Sequence, residues 1–231
     1  AAFERAVSLD PTFAAAHAWL SRAHSFLWWM HYDRTSERVA LAKAAVDRAV
    51  QLQPDSPEVH TALGYYYYWC HLDYDRALAE FAIAREARPA DGDILTGIGY
   101  VLRRQGKFQE SVAALKQAAE LTPRDAVLLT NMGDSLGLAR DAKEAVRYLD
   151  RSIALTPDGA RPYALKARYL LRIAGDVAAA GATVAAADAL TLAQNHEVAY
   201  AAALCDLFAR DYRAGLDRLS QWPREATDHH L

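Results

Sequence analysis

Five prolines punctuate this chain of 231 residues at Pro11, Pro54, Pro89, Pro123 and Pro157, separated by 43, 35, 34 and 34 residues. A period of that length restricts a chain to an array of similar supersecondary units. Counting back from the second to fifth prolines, small residues stand five and twelve positions earlier and a bulky residue eight earlier. The sets are Ala42, Val46 and Ala49; Ala77, Phe81 and Ala84; Ser111, Leu115 and Ala118; Ala145, Leu149 and Ser152. Those offsets put one stripe on one face of a helix. Counting forward, a second helical pattern carries residues such as Leu95, Ile98 and Gly99, or Leu129, Met132 and Gly133, at six, nine and ten positions on. A small residue at the tenth position lets the two helices of a unit approach closely. Polar turns such as Arg104-Gln105-Gly106-Lys107 join the pair. Proline opens the next unit, where its missing N–H has no helical partner to lose. Beyond Pro157, Ala189-Leu190-Thr191 repeats Ala154-Leu155-Thr156 one residue out of step and without a proline.

Composition agrees with close-packed helices: 49 alanines against 11 Gly and 8 Pro, alanine having the highest helix propensity. Lys and Arg number 26 and Asp and Glu 29, a net charge of −3. No global basic field exists to hold a nucleic acid. Cys70 and Cys205 lie far apart without metal-ligand spacing, which fits reduced thiols and a cytoplasmic location, with a disulfide left open. No apolar run reaches the roughly 18 residues of a membrane span, so insertion is not expected. The chain begins at Ala1 inside a helical pattern, which predicts a native N-terminal region upstream.

The register of Leu95, Gly99, Gly106, Phe108, Ser111, Leu115, Ala118 and Pro123 resembles the tetratricopeptide repeat (TPR) family, and the resemblance extends over almost the whole chain. It implies an all-α, right-handed superhelical solenoid of about six helix-turn-helix repeats in one domain. The expected boundaries are 1–13 for the second helix of a truncated repeat, 14–56 for a repeat with an insertion, then 57–91, 92–125, 126–159 and 160–193. A degenerate C-terminal repeat covers 194–223 and a tail 224–231. The family's early Trp is replaced by His60, Leu95, Leu129 and Tyr163, and Lys166 and Thr183 fill slots that usually carry apolar residues. The wording of 64–68, 73–78 and 98–106 is similar to TPR regions of bacterial adenylate cyclases, serine/threonine kinases and winged-helix regulators.

Strings that imitate catalytic or metal motifs fail on context. Gly133-Asp134-Ser135-Leu136-Gly137 fits a nucleophile elbow, but that motif needs a strand-to-helix turn, and here Ser135 lies within a helical pattern. His196-Glu197-Val198-Ala199-Tyr200 lacks the second histidine of a zinc-binding H-E-x-x-H. His17, His24 and His31 recur every seven residues, about 10 Å apart along a helix, too far to share one ion. Gly97-Ile98-Gly99 has neither a third glycine nor a preceding strand. No catalytic residue, cofactor or metal ligand is expected.

The 43-residue spacing places a nine-residue insertion around Trp28, Trp29 and Tyr32, beside the aromatic run Tyr65 to Trp69 of the next unit. Aromatic clusters serve both cores and interfaces, and both readings stand. The TPR resemblance implies that first helices line a concave groove. By position the groove takes Thr61, Tyr65, Tyr68 and Trp69; Thr96, Tyr100, Arg103 and Arg104; Thr130, Asn131 and Asp134; and Arg161, Arg168 and Arg172. Five arginines there predict a locally basic surface or a solvated face compensated by Asp93, Glu110 and Asp134. The carboxylate clamp of some TPR proteins is incomplete: Asn131 and Arg161 match slots, whereas Thr96, Tyr100 and Leu165 do not. The expectation is therefore a non-enzymatic scaffold that binds a protein or peptide segment, as the sensor or docking part of a bacterial signalling or regulatory protein. Self-association to a homo-oligomer through the aromatic edge is the alternative.

Overall fold

The computed structural model describes residues 2–188 and 195–220. Thr191, Trp222 and the expected tail at 224–231 lie outside them. The chain forms two compact units, residues 1–121 and 122–231. Among the described residues there are thirteen α-helices, two π-helical segments and no strand.

The first unit holds α1 (Ala2–Leu9), α2 (Ala14–Trp29), α3 (Ser36–Leu52), α4 (Pro57–Tyr66), α5 (Tyr74–Ala87), α6 (Gly92–Arg104) and α7 (Phe108–Leu121). Helices α2 and α3, α4 and α5, and α6 and α7 pack as pairs. The second unit pairs α8 (Ala126–Leu138) with α9 (Ala142–Leu155), α10 (Ala160–Tyr169) with α11 (Val177–Asp188), and α12 (His196–Phe208) with α13 (Tyr212–Ser220).

The stripe legible in the sequence is the core of the pairs in which it is read. All twelve residues from Ala42 to Ser152 named above are at most 1% exposed. Ala180, Val184 and Ala187 continue it in α11. A Cβ built on Gly99 falls 2.6 Å from Leu115, and one on Gly133 falls 2.6 Å from Leu149. The glycine slot thus sets how closely each first helix lies on its own partner. Ala167, fully buried, does the same with one carbon more. Lys166 and Thr183 are accommodated rather than displaced. Lys166 Nζ donates to Asp150 at 2.7 Å, and buried Thr183 donates its hydroxyl to the Ala179 carbonyl at 2.8 Å.

Each pair turns through one left-handed residue: His31, Leu72, Gly106, Arg140, Gly175 and Arg210, with φ from 55° to 76°. In four of the six turns the next residue is aspartate, whose carboxylate caps the second helix: Asp73, Asp141, Asp176 and Asp211. Asp33 and Thr35 do this work after the longer turn.

The insertion does not form a separate loop. Helix α2 has 16 residues against 13 in α6, its turn six against three, and α3 17 against 14 in α7. The surplus is shared equally, so the pair is longer rather than interrupted.

Two first helices end in π-turns, at Tyr67–His71 and Leu170–Ala174. The bond that closes the ordinary turns runs back five residues, as from the Lys107 N–H to the Leu102 carbonyl at 3.0 Å or Asp141 to Leu136 at 3.0 Å. In the π pairs it runs back six, from Asp73 to Tyr67 at 3.1 Å and Asp176 to Leu170 at 2.9 Å. These are the two stretches where the sequence period is 35 rather than 34. One extra residue is absorbed by widening a single helical turn.

Candidate functional site

Aromatic and arginine side chains contact one another on the first helices. In the first unit, the slot eleven residues after each proline carries Arg22, Tyr65 and Tyr100. Arg22 makes a paired contact with Asp93 at 2.6 and 2.8 Å and lies between the Trp19 ring, 4.2 Å away, and the Tyr65 ring, 4.3 Å away. Tyr65 donates its hydroxyl to Asp93 Oδ1 at 3.0 Å. Burial, then the Asp93 charge, holds that hydroxyl well above its ordinary pKa, so it stays a donor. Glu58 and Arg88, themselves ion-paired, join Trp19, Arg22, Thr61 and Asp93 around a cavity of about 130 Å³.

The aromatic residues form a ladder whose first rung, Phe3 and Trp19, joins the rest through Arg22. Phe3 stacks on Trp19, Tyr65 stacks on Trp69 at 4.3 Å, Phe26 meets Trp69 edge-on at 5.6 Å, and Trp29 leans on Tyr68 at 5.2 Å. Arg104 lies over Trp29 at 5.2 Å and donates from Nε to the Tyr68 hydroxyl at 3.3 Å. Arg103 lies over Tyr100 at 5.4 Å. Tyr65 and Tyr68 are buried by this packing, so their rings are floor rather than contact surface. Trp69, Tyr100 and Arg103 are half-buried, and Arg104 is exposed. Of the insertion residues, Trp29 belongs to the ladder, Trp28 is covered by Arg34 at 4.0 Å, and Tyr32 is 72% exposed.

The threonine slots turn inward. Thr61, Thr96 and Thr130 donate their hydroxyls to carbonyls one turn back in their own helices, at Pro57, Gly92 and Ala126, with distances from 2.7 to 2.9 Å. Asn131 donates to the Val127 carbonyl at 2.9 Å. Thr61, Thr130 and Asn131 are buried. These residues satisfy local backbone acceptors instead of presenting side chains outward.

In the second unit, Asp134 accepts from the Tyr169 hydroxyl at 2.6 Å and from Arg161 at 3.4 Å. This resembles Asp93 with Tyr65 and Arg22. Arg168 is half-buried near the end of α10, and Arg172, four residues on in the π-turn, is exposed.

The strings set aside on context occupy packing positions. Ser135 is wholly buried inside α8, and a Cβ on Gly137 would collide with the Tyr169 ring. His17, His24 and His31 contact the Pro11 carbonyl, Arg38 and Arg34 respectively. Among the described residues no group of three His, Cys, Asp or Glu side chains is placed to hold a metal ion, and no helix is long and apolar enough to cross a membrane. Both cysteines are buried free thiols whose pKa is raised chiefly by burial.

Arg22, Trp19 and Phe26 were missed at sequence level, although the signal existed. Arg22 and Phe26 stand eleven and fifteen residues after Pro11, the slots of Tyr65 and Trp69 after Pro54. The insertion that lengthens the interval to 43 residues begins beyond them.

Residues 92–125 match the family model of the tetratricopeptide repeat. No curated protein matches the chain in sequence. Among solved structures, PilW, described as a widely conserved type IV pilus biogenesis factor, is 19% identical with a TM-score of 0.69, over 85% of this chain and 86% of that one. Pseudomonas aeruginosa PilF is 18% identical with a TM-score of 0.65, over 87% and 90%. YrrB, described as a TPR protein with an unusual peptide-binding site, is 18% identical with a TM-score of 0.62, over 91% and 98%. At these identities the likeness concerns the fold, which is all-α and of the TPR solenoid type.

Proposed function

We propose that the chain is a non-enzymatic protein-interaction scaffold that binds an extended protein segment along its first helices. The observation that carries this reading is the division of labour within each pair. The bulky stripe of the second helix is wholly buried, while Trp69, Tyr100, Arg104, Arg161 and Arg172 remain accessible on first helices. Accessible aromatic and arginine side chains on a rigid scaffold suit segment recognition. The peptide-binding site of YrrB, a protein with the same fold, supports the reading. The repeat boundaries expected from the sequence belong to this proposal, as does a role as docking part of a bacterial regulatory protein.

The test is a peptide-display selection against the full chain, followed by hydrogen-exchange mapping of the selected peptide. Protection confined to first helices, α4 and α6 in the first unit or α8 and α10 in the second, is the expected result. A footprint on α5, α7 and α9 alone, or a failure to select any peptide, overturns the proposal. Self-association is the second reading, favoured by Phe26, Met30 and Tyr32, which are all exposed near the long turn. Sedimentation velocity over a wide concentration range decides it, a monomer throughout ruling it out.

A further inference from the structure

We propose that the first-helix face of the second unit docks an extended acidic segment, reading two carboxylates placed two residues apart through Arg168 and Arg172. The inference rests on the segment-binding reading above and gives it a partner chemistry.

The stretch from Ala160 to Ala174 carries Arg161, Lys166, Arg168 and Arg172 and no acidic residue. Two of these charges are answered within the unit, Arg161 by Asp134 at 3.4 Å and Lys166 by Asp150 at 2.7 Å. Arg168 and Arg172 have no hydrogen-bond or carboxylate partner among the described residues. The Arg168 Nε is withdrawn from solvent, so the inner part of its side chain is held by packing. Two arginines four residues apart and without counter-charges leave two positive charges unanswered, and a pair of carboxylates answers them while forming charge-assisted hydrogen bonds.

Spacing supplies the selectivity. Four residues of regular α-helix advance about 6 Å; the π-turn that holds Arg172 alters this step, and two long arginine side chains span the difference from the roughly 6.6 Å between alternate residues on one side of an extended chain. A segment of the form Glu-x-Glu therefore presents both carboxylates in register. Adjacent glutamates point to opposite sides and do not. Asp134, the acidic residue nearest this surface on α8, already accepts from Arg161 and Tyr169, which mutes its repulsion of an anionic segment. Val127, 68% exposed, and Leu138, also exposed, lie on the same α8 and offer apolar contact. The arrangement differs from the clamp considered at sequence level, because both cations stand on one helix.

The test measures fluorescence anisotropy of labelled peptides with the full chain. Three peptides share a Val/Ser/Thr background and carry Glu-x-Glu, Glu-Glu or Gln-x-Gln. Glu-x-Glu is expected to bind about tenfold more tightly than either of the others, one well-formed charge-assisted pairing. Raised salt should weaken it, since the site is at the surface. Arg168→Gln with Arg172→Gln should abolish the preference, whereas Lys143→Gln with Arg213→Gln, both elsewhere on the surface, should preserve it. Circular dichroism checks that each variant keeps its fold. Equal binding of Glu-x-Glu and Gln-x-Gln, or an undiminished preference in the Arg168/Arg172 variant, overturns the inference. So does a mixed-sequence RNA that outcompetes the peptide at these arginines, which would reassign them to phosphate. Neutral display-selected peptides with a first-helix footprint would overturn this inference alone. Absence of any bound peptide removes the segment-binding reading with it.

Discussion

At Gly99, one methyl group decides how close two helices lie. Its Cβ would fall 2.6 Å from Leu115, so either the leucine shifts or the helices part. Gly99→Ala should lower the urea midpoint, by about 1–3 kcal/mol of stability, as overpacked cores do. Leu115→Ala in the same chain should recover part of that loss rather than add its own in full. The left-handed turn residues give the opposite expectation. Leu72 and Arg140 sit at φ 55° and 65° with a Cβ that resists the conformation. Leu72→Gly and Arg140→Gly should each raise the thermal midpoint, relieving about 1 kcal/mol of backbone strain. Gly106→Ala should lower it. These positions were partly readable: Gly106 announced its turn, but nothing in the identities of Leu72 or Arg140 signals a positive φ, which the closing hydrogen bonds impose.

At the scale of elements, the long first pair depends on a relay. Asp33 accepts from Thr35 and from Arg38, and Arg38 also contacts buried His24 Nδ1 at 2.8 Å. The Thr35 and Arg38 donors hold the Asp33 carboxyl down at about 2. Burial, then the Arg38 charge, lowers the His24 pKa below 6.5. In the unfolded chain His24 takes up a proton first as the pH falls, so stability present above pH 6.5 is lost as pH falls below it toward the folded-state pKa. Denaturation midpoints should therefore drop on acidification through that window, and His24→Gln should flatten the slope. Hydrogen exchange should show α2, the long turn and α3 opening earlier at low pH. The π-turns belong to this scale too. Their trace in the sequence is a period of 35, yet a period cannot say where the extra residue goes. The tight left-handed turn and its aspartate cap cannot stretch, so the residue is taken up in the preceding helical turn.

For the whole molecule, stability is carried by pairs and their neighbours rather than by one central core. Leu149, wholly buried against Gly133, belongs to the second unit. Leu149→Ala should cost about 2–5 kcal/mol, with exchange rising first in α8, α9 and α10 and protection in α2 to α5 nearly unchanged. A uniform rise across the chain would contradict that local accounting. The fold was legible at this scale because periodic burial needs only residue size and spacing. The accessible face was less so. Thr61, Thr130 and Asn131 occupy groove slots by count yet turn into their own helices, and Tyr65 and Tyr68 are covered by neighbouring rings.

The sequence by itself determined the helix pairs, their register and the stripe that each buries, because a side chain's size and its offset from a proline suffice to fix them. Only the tertiary structure decided which charged residues are answered within the fold. Arg22 and Arg168 occupy the same slot, eleven residues after Pro11 and Pro157, but Asp93, on another helix, reaches the first and no carboxylate among the described residues reaches the second. Charge pairing depends on distances across helices, and those distances are set by packing.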